Sequence, residues 1–300
     1  MRTFVIFLSL LFLVGCNSNS LRVYQPQTQA SPGFPKFWYQ GKAELAYYEG
    51  KQSRYGYQRD ARAILITVSE PFDSRVQVKS DAEDGNDYPV LKCNLVNRFN
   101  TGVYDYSVMT SSFTPINTEQ RFPVAKITSS VQDWCGQTFT QANRSSGKMD
   151  LSLFSYFEKE QQGRFFIEAD LFWDEVFALL RMNPDILPTG DVTLALGLDQ
   201  YRYLHRGFFT ETVFAEWIRK DKEATYSLKS ENFHFTWRIE DKAPYPILGW
   251  SIDYLQDGKV LENRSSAFEL QSAKWLEYWN KNSPEFEELR IQMGLRFFEN

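Results

Sequence analysis

The chain could perform histidine chemistry at only two positions, because it contains just His205 and His234. Any catalytic triad that depends on histidine must use one of them. His205 follows Tyr201 and Tyr203 at alternate positions, and a strand through this segment would place the three side chains on one face. Tyr201, Tyr203 and His205 are therefore weak candidates for a polar site, with a structural role as the alternative. His234 lies between aromatic residues, and we expect a structural role for it.

Paired carboxylates offer a second route to acid–base chemistry. Asp170 and Asp174 are one helical turn apart, and Glu175 follows directly. A catalytic pair would have to lie close together in the interior, with pKa values that separate. We expect a solvated helix face instead, because acidic residues are favourable in the first turn of a helix. The sequence therefore identifies no catalytic residue.

Motifs for metals, nucleotides and known hydrolases are absent from the sequence. It has no P-loop, no dinucleotide fingerprint, no HExxH and no GxSxG pattern. The acidic segment 81–87 resembles a calcium loop, but its glycine is at the fifth position rather than the sixth, and we interpret it as a polar hairpin loop. A net charge of −5 argues against nucleic-acid binding, and a mean hydropathy of −0.44 against a polytopic helical membrane protein. We expect no cofactor, no metal and no nucleic-acid partner.

The first residues of the chain have the pattern of an export signal. Residues 1–15 combine Arg2, an apolar run over 4–14 and a small residue before Cys16. The apolar run is too short for a membrane span, which needs about 20 residues. Leu13-Val14-Gly15-Cys16 resembles the lipobox of bacterial lipoproteins. That resemblance implies cleavage before Cys16, a diacylglycerol on its sulfur and a fatty acid such as palmitate on its new amino group. An ordinary secretory signal with a chance cysteine is the alternative.

The segment after the cleavage site predicts how the protein would be attached. Residues 16–35 are rich in Asn, Ser, Gln and Pro, and we predict a flexible tether. No basic cluster follows, so lipid rather than charge would hold the protein to the membrane. In enterobacterial lipoproteins an Asp after the lipidated cysteine favours inner-membrane retention, so Asn17 indicates the outer membrane. We expect the protein to be lipid-anchored there and to face the periplasm.

Two cysteines remain once Cys16 is lipidated, Cys93 and Cys135. An exported protein is in an oxidising compartment, where such a pair can form a disulfide. The bridge would close a loop of about 43 residues and contribute around 4 kcal/mol, provided that the Cα atoms are about 4.4–6.8 Å apart. Two buried free thiols are the alternative.

Many segments after residue 36 alternate between apolar and polar residues with a period of two, which is typical of half-buried strands. Examples are 75–79, 91–95 and 104–108. Strands do not alternate regularly with helices, so a parallel sheet is not indicated. We predict a β-rich α+β fold with curled antiparallel sheets, in the form of a sandwich or a half-barrel.

Helices are predicted mainly near 169–182 and 266–294. The first region has apolar residues at helical spacing and is followed by Pro184. The second region combines an apolar stripe from Phe268 to Trp279 with a helix start at Ser283-Pro284. Linker-like composition occurs only before residue 36, so we predict a single β-rich domain over 36–300.

The aromatic content of 16% has three explanations that the sequence leaves open. Large rings fill the core of a thin or curled β structure. The same residues could line a cavity that holds a lipid or another apolar ligand. They could also form a partner-binding surface, because Tyr and Trp are frequent in interface hot spots.

Several segments carry a resemblance to a known family, among them 99–107 (FNTGVYDYS), 129–136 (SSVQDWCG) and 187–191 (LPTGD). Together they resemble a family of uncharacterised envelope lipoproteins of Gram-negative bacteria, notably the Bacteroidetes. Some of its members carry the label septum formation inhibitor Maf. The nucleotide pyrophosphatase activity of Maf proteins is not implied, because their Ser-x-Ser-Pro-Arg-Arg start is missing here. The resemblance implies an envelope location and a single domain, and no catalytic residues.

Together these features predict a lipid-anchored cell-envelope protein that binds or scaffolds a partner. We expect an envelope protein as the partner, in addition to the membrane. Carriage of an apolar ligand in a β-rich cavity is the first alternative, and an envelope hydrolase that uses His205 or paired carboxylates is the second. We favour a non-enzymatic function, because the residues indicate no reaction.

Overall fold

The computed structural model describes residues 36–81, 85–116 and 122–295. The predicted signal peptide (1–15), the lipidation site Cys16 and the predicted tether (16–35) lie outside the described residues, as does part of the acidic segment 81–87. None of the helices in the described part of the chain combines the length and the hydrophobicity that a membrane span requires.

Most of the described chain is extended. Its strands are β1 (Ala43–Arg54), β2 (Tyr57–Asp73), β3 (Val78–Lys79), β4 (Asp87–Thr101), β5 (Tyr104–Pro115), β6 (Lys126–Asp133), β7 (Gly136–Ser145), β8 (Lys148–Ser155), β9 (Gly163–Ile167), β10 (Leu171–Phe172), β11 (Gly190–Ala195), β12 (Thr210–Lys220), β13 (Glu223–Lys229), β14 (Phe233–Glu240), β15 (Ile247–Gln256) and β16 (Lys259–Leu276). The helices are α1 (Trp173–Met182), α2 (Leu198–Leu204) and α3 (Glu287–Gln292). Short 3-10 segments lie at Lys36–Tyr39, Glu158–Glu160, Pro184–Ile186, Tyr278–Asn280 and Pro284–Phe286.

These strands belong to one sheet, in the order β10-β11-β12-β13-β14-β15-β16-β1-β2-β4-β5-β6-β7-β8-β9, with β3 beside β2. Neighbours are antiparallel except β10 and β11. Only residues 168–170 separate the edge strands β9 and β10 in the chain, which keeps the two edges within about 14 Å of each other at this point. The sheet therefore curls back on itself without closing, and the predicted β-rich fold with a curled antiparallel sheet is confirmed.

Helix α1 lies inside the curl of the sheet and is buried on every side. All ten of its residues are buried, and the helix packs against β4, β5 and β15. Trp173 lies 5.7 Å from Trp237, and Phe177 lies 5.4 Å from Trp250, between ring centroids. The helix predicted near 169–182 is thus confirmed, and it fills the concave side of the sheet.

The predicted solvated face of α1 is wrong, because Asp174 and Glu175 are both buried. Each carboxylate accepts hydrogen bonds from backbone N–H groups instead. Glu175 accepts from Phe172 and from Val124, both at 3.0 Å, and Asp174 accepts from Leu198 at 3.1 Å. The two acids therefore connect the start of the helix to the loop before β6 and to α2.

The other end of α1 is held by a buried ion pair. Nη2 of Arg181 lies 2.7 and 2.6 Å from the two carboxylate oxygens of Glu44 on β1, and Nη1 donates to the Pro244 carbonyl at 2.5 Å. The two charged side chains are 1% and 7% exposed. Burial raises the pKa of Glu44, although the charge and hydrogen bond of Arg181 act to lower it. The pair is therefore desolvated, and each charge depends on the other.

The helix predicted from Phe268 to Trp279 is wrong, because residues up to Leu276 belong to β16. This strand forms ladders with both β15 and β1, and these long-range hydrogen bonds override the helical spacing of its aromatic residues. The helix start at Ser283-Pro284 is confirmed, since a 3-10 turn begins at Pro284 and leads into α3. Residues that follow α3 pack on the outer face of β1 and β2.

Replacing Arg181 by Met should lower the free energy of unfolding by about 3–5 kcal/mol, because Glu44 would remain buried without its partner. The double variant Glu44→Leu/Arg181→Met should recover most of this loss, since it leaves no unpaired charge. Urea unfolding of each variant measures the effect. Arg219→Met is the matched control, because its exposed pairs with Asp185 and Asp241 should be worth at most about 1 kcal/mol. Equal losses for the two single variants would contradict the prediction.

Candidate ligand-binding site

Polar side chains gather at one end of the curled sheet, which we call the α2 end. It contains the β1–β2, β4–β5, β6–β7 and β15–β16 turns, and α2 lies against it. Arg202 of α2 lies 3.4 Å from Asp133 at the end of β6, and the Tyr203 carbonyl accepts from Arg54 at the end of β1 at 2.8 Å. The opposite end, where Lys36–Tyr39 lies against β2, is called the tether end.

Arg54 is the centre of the polar network at the α2 end, and it is only 3% exposed. Its Nε and Nη2 atoms donate to the Tyr106 hydroxyl at 3.3 and 3.2 Å, and Nη2 also donates to the Tyr55 hydroxyl at 3.1 Å. Nη2 lies 3.3 Å from Nε2 of His205, and the guanidinium covers the Tyr55 ring at 4.1 Å from its centroid. Among the described residues, no carboxylate pairs with Arg54.

The two phenols beside Arg54 differ in acidity. Their hydroxyl oxygens are 2.8 Å apart. Burial raises the pKa of Tyr106, and the hydrogen bond with Tyr55 raises it further. Burial also acts to raise the pKa of Tyr55, but hydrogen bonds with Tyr104 and Tyr106 and the charge of Arg54 outweigh it, so the pKa of Tyr55 is lowered. Tyr55 is therefore the more acidic member of the pair.

Tyr201, Tyr203 and His205 do not share a strand face, so this expectation is wrong. The two tyrosines lie in α2, and His205 is its C-terminal cap with a φ of 51°. Side chains two positions apart on a helix point in different directions. Tyr201 has a structural role, because its hydroxyl accepts from the Leu196 N–H at 3.1 Å and donates to the Phe209 carbonyl at 2.5 Å. The hydroxyl of Tyr203 is buried and has no hydrogen-bond partner in the described part of the chain.

His205 does belong to the polar network, where it lies between two arginines. Its Nε2 faces Arg54 at 3.3 Å, and its Nδ1 is 3.0 Å from Arg202 and 3.5 Å from Glu160. Burial lowers the pKa of His205, and the charges of both arginines lower it further. Both ring nitrogens therefore face arginine N–H groups, and a neutral ring can accept a hydrogen bond at only one of them. His205 therefore contacts Arg54 through Nε2, and none of these partners of the ring is a hydroxyl or thiol that it could activate as a nucleophile.

A cavity of about 200 Å³ opens at the α2 end beside Arg54. Its lining is drawn from the end of β1, the end of α2 and the adjoining parts of β14, β15 and β16. The lining residues are Ser53, Arg54, Tyr55, Tyr203, Leu204, Arg206, Asn232, Phe233, Tyr254, Leu255, Leu261 and Arg264. The cavity thus combines guanidinium and phenol groups with an apolar wall, which is the composition of a small-ligand site.

A pair of carboxylates, buried Asp174 and half-buried Asp199, lies at the junction of α1 and α2, but it is not the pair that helical spacing indicated. Burial raises the pKa of Asp174, and the charge of Asp199 raises it further. Burial also raises the pKa of Asp199 to about 6. Asp170 is exposed. The packing here is close, since a Cβ on Gly197 would lie 2.9 Å from an Asp199 oxygen and from a ring carbon of Trp173. Neither acid lines the cavity, so the pair belongs to the packing between α1 and α2.

The two cysteines proposed as a disulfide are not brought together. Both thiols are free, with Cys93 buried in β4 and Cys135 exposed in the β6–β7 turn. Cys93 aligns through Ser112 with Ile127, and β6 continues six residues farther, about 20 Å, before that turn. Burial raises the pKa of the Cys93 thiol to about 12. The thiols are therefore too far apart to bridge, and the Cys93 thiol is unreactive.

Sequence reasoning missed the arginines of the cavity. Arg54 carried a weak local signal, because it shares a strand face with buried Tyr48 and Gln52, and a charged residue on such a face is unusual. Arg206 and Arg264 lie after α2 and within β16, and nothing in their local sequence points to a site. His234 lies opposite the buried face of β14, as expected.

Asp199→Asn should change the pH dependence of stability. The pKa of Asp199 is about 6 in the folded protein and near 4 in an unfolded chain. The folded state therefore holds this proton more tightly, so its stabilising contribution is full below about pH 4 and is lost as the pH rises to about 6. The variant should be more stable than wild type above pH 6, by roughly 1–3 kcal/mol, and equal to it below pH 4.

Urea unfolding at several pH values measures this difference. Exposed Asp191→Asn, in the same half of the sheet, serves as the control and should give a difference that does not vary with pH. A pH-independent difference for Asp199→Asn as well would contradict the assignment of the raised pKa.

Neither metal-ligand clusters nor similarity to known proteins identifies a ligand for the site. No group of three or more His, Cys, Asp or Glu residues in the described ranges could hold a metal ion. A scan against protein-family models, a search of curated proteins and a search of solved structures each found no match to this chain.

Proposed function

We propose that the protein is a lipid-anchored component of the cell envelope that binds a partner protein at its α2 end. Acyl chains on Cys16 would hold it in the outer membrane, facing the periplasm. The observation that carries the proposal is a set of exposed apolar side chains on consecutive turns at the α2 end, Val103, Trp134 and Tyr156. They are 82%, 70% and 75% exposed, and we call them the apolar turn row.

The apolar turn row is a continuous feature because its turns are neighbours in the sheet. Val103 lies in the β4–β5 turn, Trp134 in the β6–β7 turn and Tyr156 directly after β8. Strands of this sheet follow one another in that order, so successive turns are about 10 Å apart. Turns normally carry small or polar residues. A run of large apolar side chains supports an interaction surface, since exposed apolar patches and aromatic residues are features of interfaces.

The position of the tether end supports anchoring on the opposite side of the molecule. The predicted tether, 16–35, leads directly into the 3-10 segment Lys36–Tyr39 at that end. About 20 extended residues reach at most about 70 Å, and a flexible chain of this length has an average span near 25 Å. An anchor on Cys16 would therefore confine the domain to the membrane surface and be joined to it at the end opposite the α2 end.

The interior supports partner binding better than the two alternatives. Helix α1 occupies the concave side of the sheet, where a carrier of an apolar ligand would need its cavity. A hydrolase in which His205 activates a serine, threonine or cysteine would need that hydroxyl or thiol beside the ring, but the ring faces Arg54, Arg202 and Glu160.

Thiol labelling tests the anchor. Native protein from membranes should react with one maleimide per chain, at Cys135, because Cys93 is buried and Cys16 would be a thioether. Unfolding without a reductant should add a second maleimide, at Cys93. Mass spectrometry of the intact chain counts the adducts and should find Cys16 as an acylated N-terminus. An unacylated N-terminus, or a third reactive thiol after unfolding, would contradict the proposed lipid anchor on Cys16.

Site-specific photocrosslinking tests the binding surface. A benzophenone maleimide on Cys135 places the probe beside Trp134, within the apolar turn row. We expect a discrete adduct with an envelope protein, which Cys16→Ala should weaken because the chain is then no longer confined to the membrane. The control is Cys135→Ala/Ile218→Cys, because Ile218 is an exposed apolar residue on β12 toward the tether end. Adducts of equal yield from both positions, or none from Cys135, would exclude partner binding at the α2 end.

A further inference from the structure

Positive charge is concentrated in the cavity at the α2 end. Arg54, Arg206 and Arg264 line it, and none of the described lining residues is Asp or Glu. The chain as a whole has a net charge of −5, so the cavity has the opposite sign to the molecule. Like charges in a concave, poorly solvated site raise the local concentration of oppositely charged ligands.

The arginines are available to a ligand in different ways. Arg54 is buried and fixed by its neutral partners, and its charge has no counter-ion among the described residues. The side chains of Arg206 and Arg264 are exposed at the rim and make no hydrogen bond or ion pair with the described residues. Tyr203, whose buried hydroxyl has no hydrogen-bond partner among the described residues, also belongs to the lining. A bound anion would complete the pairing of a buried cation, which is costly to leave alone.

Part of the cavity wall is apolar. Leu204, Phe233, Leu255 and Leu261 form part of the lining. The volume of about 200 Å³ is below the roughly 300–1,000 Å³ that is usual for drug-sized ligands. The occupant should therefore be small, or should insert only one end of a larger molecule.

We infer that this cavity binds an organic anion in which a carboxylate or phosphate group adjoins a small apolar group. The planar guanidinium forms paired hydrogen bonds with either oxyanion, and the leucine and phenylalanine side chains would cover the apolar part. A lipid headgroup and a soluble metabolite share this chemistry. The inference goes beyond the proposed partner binding, because the cavity does not include any residue of the apolar turn row.

Calorimetric titration of the full chain, purified in a neutral detergent, tests the inference with three probes. Phenyl phosphate combines the anion with an apolar ring, inorganic phosphate has the anion alone, and benzyl alcohol has the ring alone. We expect phenyl phosphate to bind at least about tenfold more tightly than either of the others, because only it uses both parts of the cavity. Absence of phenyl phosphate binding up to about 10 mM, or equal binding of benzyl alcohol, would overturn the inference.

A pair of rim variants locates the site. Arg206→Gln/Arg264→Gln should weaken phenyl phosphate binding by at least about tenfold, because two charge-assisted contacts are lost. The control Lys229→Gln/Lys259→Gln removes the same charge from exposed positions at the same end but outside the cavity. Unchanged circular dichroism and urea midpoints would show that both double variants fold. Equal weakening in the two double variants would mean that net charge, not the cavity, attracts the anion, and would overturn the inference.

Competition with vesicles identifies the source of the anion. Displacement of phenyl phosphate by phosphatidylglycerol vesicles, but not by phosphatidylcholine vesicles, supports the site with a lipid headgroup as its ligand. Displacement by neither supports the site with a soluble anion. The crosslinking experiment at Cys135 is independent of these titrations, so partner binding and anion binding can fail separately.

Discussion

The burial of α1 is the constraint on which the rest of the structure depends. A helix enclosed on every side cannot expose its charged residues, so Asp174, Glu175 and Arg181 must all be paired in the interior. Their partners come from α2, from the loop before β6 and from β1. Each contact connects the helix to a different part of the chain. The helix therefore works as a template that determines how the sheet curls around it and how α2 is placed at its open end.

The same enclosure accounts for a large share of the aromatic content. Trp173 and Phe177 of α1 contact Trp237 and Trp250 of the sheet. These rings fill the space between the helix and the concave face of the sheet. Of the three explanations that composition left open, core packing holds for these side chains. Core packing does not explain the apolar residues at the turns of the α2 end, because these side chains are exposed to solvent. Amino-acid composition alone cannot distinguish the buried residues around α1 from the exposed residues at the turns, because it counts residue types without regard to their position.

Local sequence patterns predict the structure of a segment correctly where its own residues determine that structure. They mislead where contacts with distant segments determine it. Alternation identified the strands because burial of one face is a property of each strand. The spacing from Phe268 to Trp279 also fits a helix, and it cannot report that β15 and β1 will flank the segment. Helical spacing found α1 but not its enclosure. The cavity could not be predicted from the sequence, because Arg54, Arg206 and Arg264 come from separate elements that only the completed fold brings together.

The pairing of β1 with β16 has a consequence for biogenesis. Ala43 lies opposite Leu276, so the middle of the sheet joins segments that are separated by most of the chain. Synthesis proceeds from the N-terminus, and β1 therefore lacks one neighbour until β16 has emerged. Contacts of such long sequence separation form slowly. In the interval β1 presents an open hydrogen-bonding edge with apolar side chains, which is a template for aggregation. A chain that ends before β16 would lose the centre of its fold rather than its margin, so this architecture makes truncation disproportionately damaging.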